Sequence, residues 1–293
     1  MTTRYLRPRS LSEALQLKAE SATPLTVLAG GTDVYPVRTQ RAAWFEPHNR
    51  DLLDLSLIPE LAGIDHGPDG IRIGAMATWS AIAQADVPPA FDALKQASRQ
   101  VGGVQIQNRA TIGGNLCNAS PAADGVPPLL ALEAEVELAG PGGSRRLPLA
   151  SFVLGNRKTA LAPDELLVAI HVPAQPAQAR STFKKLGARA YLVISIASVA
   201  INLALDAQGR IASPRIAVGA CAAAPQRLNG LEARLLGQVP SLALTESVSA
   251  SDLAVLSPID DVRASAAYRR DAALILVRRA LAGLLSSSLE VAA

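Results

Sequence analysis

"TIGGNLCNASPAADGVPP", residues 111–128, is poor in side chain and rich in exposed backbone. Fourteen of its eighteen residues are Gly, Ala, Ser, Thr, Asn, Asp or Pro, and it holds no Lys or Arg. Such a stretch serves either as a flexible linker or as a surface where backbone N–H groups come close to a ligand. A second stretch of the same chemical type, "AGGTD", lies upstream at residues 29–33. It ends a short apolar run, residues 25–29, that reads as a strand entering a tight turn. Each stretch joins a Gly-Gly pair to small hydroxyl or amide residues. Glycine lets backbone approach a bulky anion with no Cβ in the way, and successive N–H groups in a turn form a nest for phosphate oxygens. Thr32, Thr111 and Asn115 can add hydrogen bonds. Asp33 and Asp124 cannot hold phosphate; they can accept from ribityl or ribose hydroxyls, or tie down the loop itself. On spacing alone, a nucleotide-like anion site outside a Rossmann fold and a pair of plain turns stand level.

The rest of the chain frames these loops. "SLSEALQLKAES" (residues 10–21) opens with a capping-box pattern at Ser10 and Glu13 and continues as a helix. Strands are expected at "DLLDLS" (51–56) and up to Gly74, followed by a helix capped near Thr78 or Ser80 and another over residues 91–101. Paired strands surround the turn "GPGG" (140–143), and "ELLVAIHVP" (165–173) alternates as a strand. "PAQPAQA" (173–179) is the best linker in the chain. Beyond it, "STFKKLGA", "YLVISIASVAINLAL" and "IASPRIAVGACAAAP" read as strands of an antiparallel sheet, and residues 265–285 as a helix with Arg pairs on its polar side. The fold class expected is α+β.

Composition excludes more than it identifies. With 293 residues and 49% hydrophobic content, the chain can bury a sizeable core. A net charge of +3, with the basic residues spread along the chain, argues against a nucleic-acid partner. Two cysteines, Cys117 and Cys221, are too few to ligate an iron–sulfur cluster or build a disulfide framework. No apolar stretch reaches the roughly 18–20 residues of a membrane span, and the first residues lack a signal-peptide core, so a cytoplasmic protein is expected. There is no GxGxxG, GxxxxGK[ST], HExxH or GxSxG. His48, His66 and His171 are far apart in sequence and none is assigned to metal. Hydrolase, kinase and metalloenzyme readings lose their anchors.

"VLAGGTDVYP" and "RATIGGNLCNASPAADGVPPLLALEAEVEL" resemble the two FAD-binding signatures of the flavoprotein (medium) subunit of molybdenum hydroxylases, the xanthine dehydrogenase and carbon monoxide dehydrogenase family. "RYLRPRSLSEAL", "FKKLGARAYLVISIASVAI" and "DVRASAAYRRDAALILVRRAL" resemble the same family, so the similarity spans nearly the whole chain. The resemblance implies a two-lobed FAD-binding domain (PCMH/vanillyl-alcohol-oxidase-like), with lobes at residues 1–54 and 55–173. A C-terminal domain, a three-stranded antiparallel sheet with helices, would follow at residues 178–287. It implies that Leu28, Ala29, Gly30, Gly31, Thr32 and Asp33 wrap the FAD pyrophosphate, and that Thr111, Gly114, Asn115, Ala123 and Asp124 contact the cofactor. Lys184 matches a lysine near the flavin, Leu167 an apolar contact, and Tyr191 a residue over the flavin ring. Cys117 departs from the small or apolar residue common in relatives and is read as a small buried thiol.

The same resemblance implies partners: a large subunit with the molybdenum cofactor and a small one with two [2Fe–2S] clusters, in a heterotrimer or a dimer of heterotrimers. Electrons would pass through FAD on this chain to NAD⁺, oxygen or another acceptor. No side-chain acid or base is required for that task, and no catalytic residue is assigned. Two alternatives stand beside it: a self-sufficient FAD-dependent oxidoreductase, and a non-catalytic assembly subunit that has lost FAD.

Overall fold

The computed structural model describes residues 3–46 and 50–291. The chain begins with β1 (Tyr5–Leu6), α1 (Leu11–Glu20), β2 (Thr26–Leu28), α2 (Val34–Ala43) and β3 (Leu52–Asp54). These strands form a small parallel sheet in the order β1-β3-β2. α1 starts where the sequence places it: the Ser10 hydroxyl accepts from the Glu13 N–H at 3.2 Å. The Glu13 carboxylate reaches back to the Arg9 N–H at 2.7 Å rather than to that of Ser10, so the box is shifted by one residue.

The second lobe holds β4 (Ile64–Gly67), β5 (Gly70–Gly74), α3 (Trp79–Gln84), α4 (Asp92–Ser98), α5 (Val104–Gln107), α6 (Ile112–Asn118) and α7 (Val126–Ala131). It continues through β6 (Glu135–Gly140), β7 (Gly143–Pro148), α8 (Leu149–Phe152), β8 (Val153–Gly155), β9 (Lys158–Thr159) and β10 (Leu166–Pro173). Five of these strands form an antiparallel sheet in the order β4-β5-β10-β6-β7. β10 is its centre, and its near-continuous apolar sequence has a physical reason. Leu167, Ile170 and Val172 face the core of the second lobe, while Leu166, Val168 and Ala169 face a core shared with α1 and β3. A strand covered on both faces needs no polar side.

The glycine-rich stretch is less of a loop than its composition suggests. Residues 112–118 and 126–131 are helical, with a turn between them. Thr111 supplies the reason: its hydroxyl accepts from the Gly114 N–H at 3.1 Å and caps α6. Gly113 is tolerated inside the helix because α6 packs against backbone there; a Cβ would lie 2.6 Å from the Ala75 carbonyl oxygen.

The C-terminal region comprises β11 (Arg180–Leu186), β12 (Ala197–Leu203), β13 (Arg215–Gly219), β14 (Gln226–Arg227), α9 (Asn229–Leu235), α10 (Leu242–Glu246) and α11 (Ala266–Val291). Three long antiparallel strands carry the sheet, and the two-residue β14 extends it. The expected strand over residues 191–205 is shorter, because residues 191–196 form an irregular loop before β12. On one face of β12, Ala197, Val199, Ile201 and Leu203 pack in the core beneath α11. On the other, Ala200 and the neighbouring Phe183 meet Ala93, Ala97 and Ala131 of the second lobe. Alanine at that contact lets helices and sheet approach closely, so the C-terminal sheet sits flush on α4 and α7.

Candidate cofactor-binding site

The two glycine-rich segments face each other across one cleft of about 410 Å³. Residues 29–33 connect β2 to α2, and residues 110–118 form the opposite wall. The walls meet backbone to backbone at one point. A Cβ on Gly30 would lie 2.1 Å from the Arg109 carbonyl oxygen, a contact only glycine permits. The next residue, Gly31, has φ +76°, the left-handed region that glycine enters without strain. Asn118 Nδ2 donates to Asp33 Oδ1 at 3.0 Å and ties the segments together. Asn118 in turn accepts from the Arg157 guanidinium. The second wall is anchored from behind, where Ile112 and Gly113 N–H groups donate to the Ala77 and Ala75 carbonyls at 2.9 Å each.

Of the residues singled out in the sequence, Ala29, Gly30, Gly31, Thr32, Asp33, Thr111, Gly114, Asn115 and Leu167 line this cleft. Leu28 is buried at the end of β2 and Ala123 behind the second wall. Gly114 differs from the other glycines: a Cβ there would meet only the Thr111 hydroxyl at 3.1 Å and the Ala29 methyl at 3.8 Å, across the gap between the walls.

Three more of the singled-out residues are not among the lining of this cleft. Asp124 does not face the cleft; its carboxylate is buried against the Lys185 ammonium at 2.6 Å and the Ser195 hydroxyl at 2.5 Å. Burial pushes the Asp124 carboxyl up from its ordinary value, opposed by the ammonium and the hydroxyl beside it. Lys184 is exposed on the opposite face of β11 from Lys185 and does not line the cleft. Side chains alternate along a strand, and buried Phe183 fixes which face meets α4, so Lys185 and not Lys184 turns inward. That alternation was the signal available in the sequence. Tyr191 is 74% exposed on the loop before β12.

Cys117 was expected to be a buried thiol, and it is an exposed residue lining the cleft. The surrounding protein still desolvates it, which pushes the thiol up to about 12. Val101, Ile106, Trp79, Leu161 and Leu166 also line the cleft and carried no sequence signal beyond apolar character. Cys117 and Asp33 are the only ionisable side chains among the described lining residues, and no Lys or Arg is among them. His66 lies on β4 and His171 pairs with Glu137 at 2.6 Å on the five-stranded sheet; His48 falls outside the described residues. No cluster of metal-ligating residues occurs among the described residues.

A family model for the "FAD binding domain in molybdopterin dehydrogenase" matches residues 1–175, and one for the "CO dehydrogenase flavoprotein C-terminal domain" matches residues 181–284. The chain belongs to the molybdopterin dehydrogenase flavoprotein family. Among members of that family, it is 34% identical over 271 residues to the putative xanthine dehydrogenase FAD-binding subunit of Escherichia coli (strain K12), covering 90% of each chain. It is 31% identical over 283 residues to the carbon monoxide dehydrogenase medium chain of Hydrogenophaga pseudoflava, covering 94% of this chain and 95% of that one. A solved structure of reconstituted CO dehydrogenase from Oligotropha carboxidovorans superposes with a TM-score of 0.87 at 29% identity, over 96% of both chains. This flavoprotein is thus of an oxidoreductase family, with the α+β fold that its sequence implied. Among its described residues no helix is long and apolar enough to cross a membrane.

The residues fit the FAD of this family. The cleft offers glycine backbone without Cβ obstruction at Gly114, and small hydroxyl and amide groups at Thr32, Thr111 and Asn115. Asn115 Oδ1 is buried and has no partner among the described residues, an acceptor suited to a hydroxyl donor.

Proposed function

We propose that this chain is the FAD-binding, electron-transferring medium subunit of a heterotrimeric molybdenum-containing hydroxylase. Electrons would reach its FAD from [2Fe–2S] clusters on a small partner subunit and leave to NAD⁺, oxygen or another acceptor. A large partner subunit would hold the molybdenum cofactor and select the substrate. The holoenzyme would be cytoplasmic, as a heterotrimer or its dimer.

The observation that carries this reading is the cleft itself, walled by two side-chain-poor segments and with no acid/base pair among its described lining residues. Residues 29–33 and 111–115 would hold the dinucleotide through N–H groups, with Thr32, Thr111 and Asn115 completing its hydrogen bonds. Asp33 and Asn118 hold the two walls at a fixed spacing. Leu167 and the other apolar lining residues would exclude water from the cofactor's rings. Bound FAD supplies the redox chemistry, while the protein binds it, orients it and sets its surroundings. A self-sufficient oxidoreductase would need a general acid or base beside the cofactor, and the described lining residues offer only the Cys117 thiol and an aspartate tied to Asn118. A subunit that had lost FAD would have no need of the bare Gly114 wall.

The test is purification of the chain alone and with its genomic neighbours' products. Flavin absorption bands near roughly 375 and 450 nm, and co-purification of two subunits with molybdenum and iron, are expected. Turnover of an organic substrate by the isolated chain would overturn the subunit reading, and an FAD-free chain that cannot be reconstituted would overturn the cofactor reading.

A further inference from the structure

Lys185 and Asp124 lie 61 residues apart and come from opposite sides of the boundary between the FAD-type lobes and the C-terminal sheet. Their side chains are only 6% and 7% exposed. Lys185 Nζ donates to Asp124 Oδ2 at 2.6 Å and to the Gln100 carbonyl at 3.4 Å. Ser195, fully buried, donates to Asp124 Oδ1 at 2.5 Å. These contacts bear on the cleft from both sides. Gln100 precedes Val101, which with Ile106 lines one part of the cleft. Asp124 follows the wall formed by residues 113–118, and the turn before it is pinned by the Ala220 N–H donating to the Pro121 carbonyl at 2.9 Å.

The C-terminal side of the contact is itself anchored. Arg269 of α11, 2% exposed, donates to the Ile196 carbonyl at 2.8 Å and pairs with Asp261 at 2.5 Å. Arg263 also pairs with Asp261 and donates to the Ser195 carbonyl at 3.5 Å. Ser195 therefore sits on a backbone segment held by two arginines, and its hydroxyl meets Asp124 from that segment. A buried ion pair is not an efficient device for mere adhesion, because well-packed apolar residues of similar volume hold surfaces together as well or better. What the pair adds is a fixed geometry among three groups that otherwise belong to separate segments.

We infer that Lys185 is a positioning residue: its ammonium clamps Asp124 to the Gln100 carbonyl, fixes two segments that bound the cofactor cleft, and so makes cofactor retention depend on docking of the C-terminal domain. The inference rests on the FAD reading above. It assigns Lys185 no contact with the cofactor.

The test uses the full chain with FAD as the probe. Wild type, Lys185→Met, Lys185→Arg and Ser195→Ala are compared by quenching of FAD fluorescence on binding, by visible circular dichroism of the bound flavin, and by thermal unfolding without FAD. Lys185→Met is expected to weaken FAD binding by about tenfold, within the range usual for coupled sites, and to change the flavin dichroism. Lys185→Arg is expected to recover most of the affinity, and Ser195→Ala to lose a few-fold, as expected for one hydrogen bond of several. A folded Lys185→Met chain with wild-type affinity and dichroism overturns the inference. Should that variant not fold, unchanged affinity and dichroism in Ser195→Ala overturn it instead. A wild-type chain that takes up no FAD overturns the cofactor reading and this inference together, whereas the preceding outcomes sink this inference alone.

Discussion

Asn118 and Asp33, 85 residues apart in sequence, meet at 3.0 Å and join the two walls of the cleft through a single side-chain hydrogen bond. The bond joins the last residue of α6 to the residue before α2, segments that share no sheet. An acceptor that is a carboxylate makes it stronger than a neutral pair. In Asn118→Ala we expect the FAD dissociation constant to rise about tenfold, or roughly 1.4 kcal/mol. Titration of FAD fluorescence reads this directly, and unchanged thermal stability in the same variant places the effect at the cleft.

Glycine substitutions separate fold from binding. A Cβ at Gly114 meets nothing closer than the Thr111 hydroxyl at 3.1 Å, and a longer side chain extends between the walls. Gly114→Val should keep the fold and lose FAD, visible as loss of flavin absorption with a near-normal unfolding temperature. At Gly30 the same change strikes backbone at 2.1 Å. Gly30→Ala should therefore force the walls apart and destabilise the chain by about 2 kcal/mol, in the range of overpacked sites. Flavin retained in Gly114→Val would remove this cleft as the binding site.

The thiols give an alkaline signature. Burial pushes Cys221 up to about 11, and desolvation by the neighbouring protein pushes the thiol of Cys117, on the cleft wall, up to about 12. In the unfolded chain a thiol ionises near roughly 8.5. The folded state therefore holds these protons where the unfolded state releases them. Their contribution is complete below about pH 8.5 and is lost as pH rises toward the folded values. Replacing both cysteines by Ala should flatten that alkaline decline in urea unfolding. At pH 8, Cys117 should also react far more slowly with a thiolate-selective reagent than a free thiol does, although the residue is exposed.

Acid acts on a different group. Hydrogen bonding from Arg263, and then from Arg269, holds the Asp261 carboxyl well below the usual carboxylate range. Because the folded value is depressed, the stabilisation is present above the unfolded value of about 4 and fades as pH falls below it. Asp261→Ala leaves Arg269, 2% exposed, without its carboxylate. We expect a loss of about 3 kcal/mol at neutral pH, typical of breaking a buried pair, and a shallower acid limb in equilibrium unfolding. A neutral-pH loss below about 0.5 kcal/mol, the level of an exposed pair, would show that Arg269 relies on its carbonyl partners instead.

Much of the fold is legible in local sequence. The caps at Ser10 and Thr78, the turn at residues 140–143 and the long C-terminal helix follow from side chains acting on their own backbone. The glycine-rich stretch misleads in part, because Thr111 caps a helix through residues whose intrinsic helix propensity is low. Packing of Gly113 on the Ala75 backbone outweighs that propensity, and such packing has no local signature.

The sequence by itself determined the chemistry of the two walls: small residues, glycine pairs and hydroxyls can meet a dinucleotide only through backbone and short polar groups. It also placed α1, the strands near residues 25–28, 52–54, 70–74 and 166–173 and the last helix, since strand and helix signals act over a few residues. Only the tertiary structure decided which of Lys184 and Lys185 turns inward. Strand alternation makes the two lysines opposites, but the choice depends on β11 pairing with β12 and laying Phe183 against α4. The same long-range packing set Asp124 against Lys185, brought Asn118 to Asp33, and left the Cys117 residue exposed in the cleft. Each of these depends on packing between segments far apart in the chain rather than on any one stretch of residues.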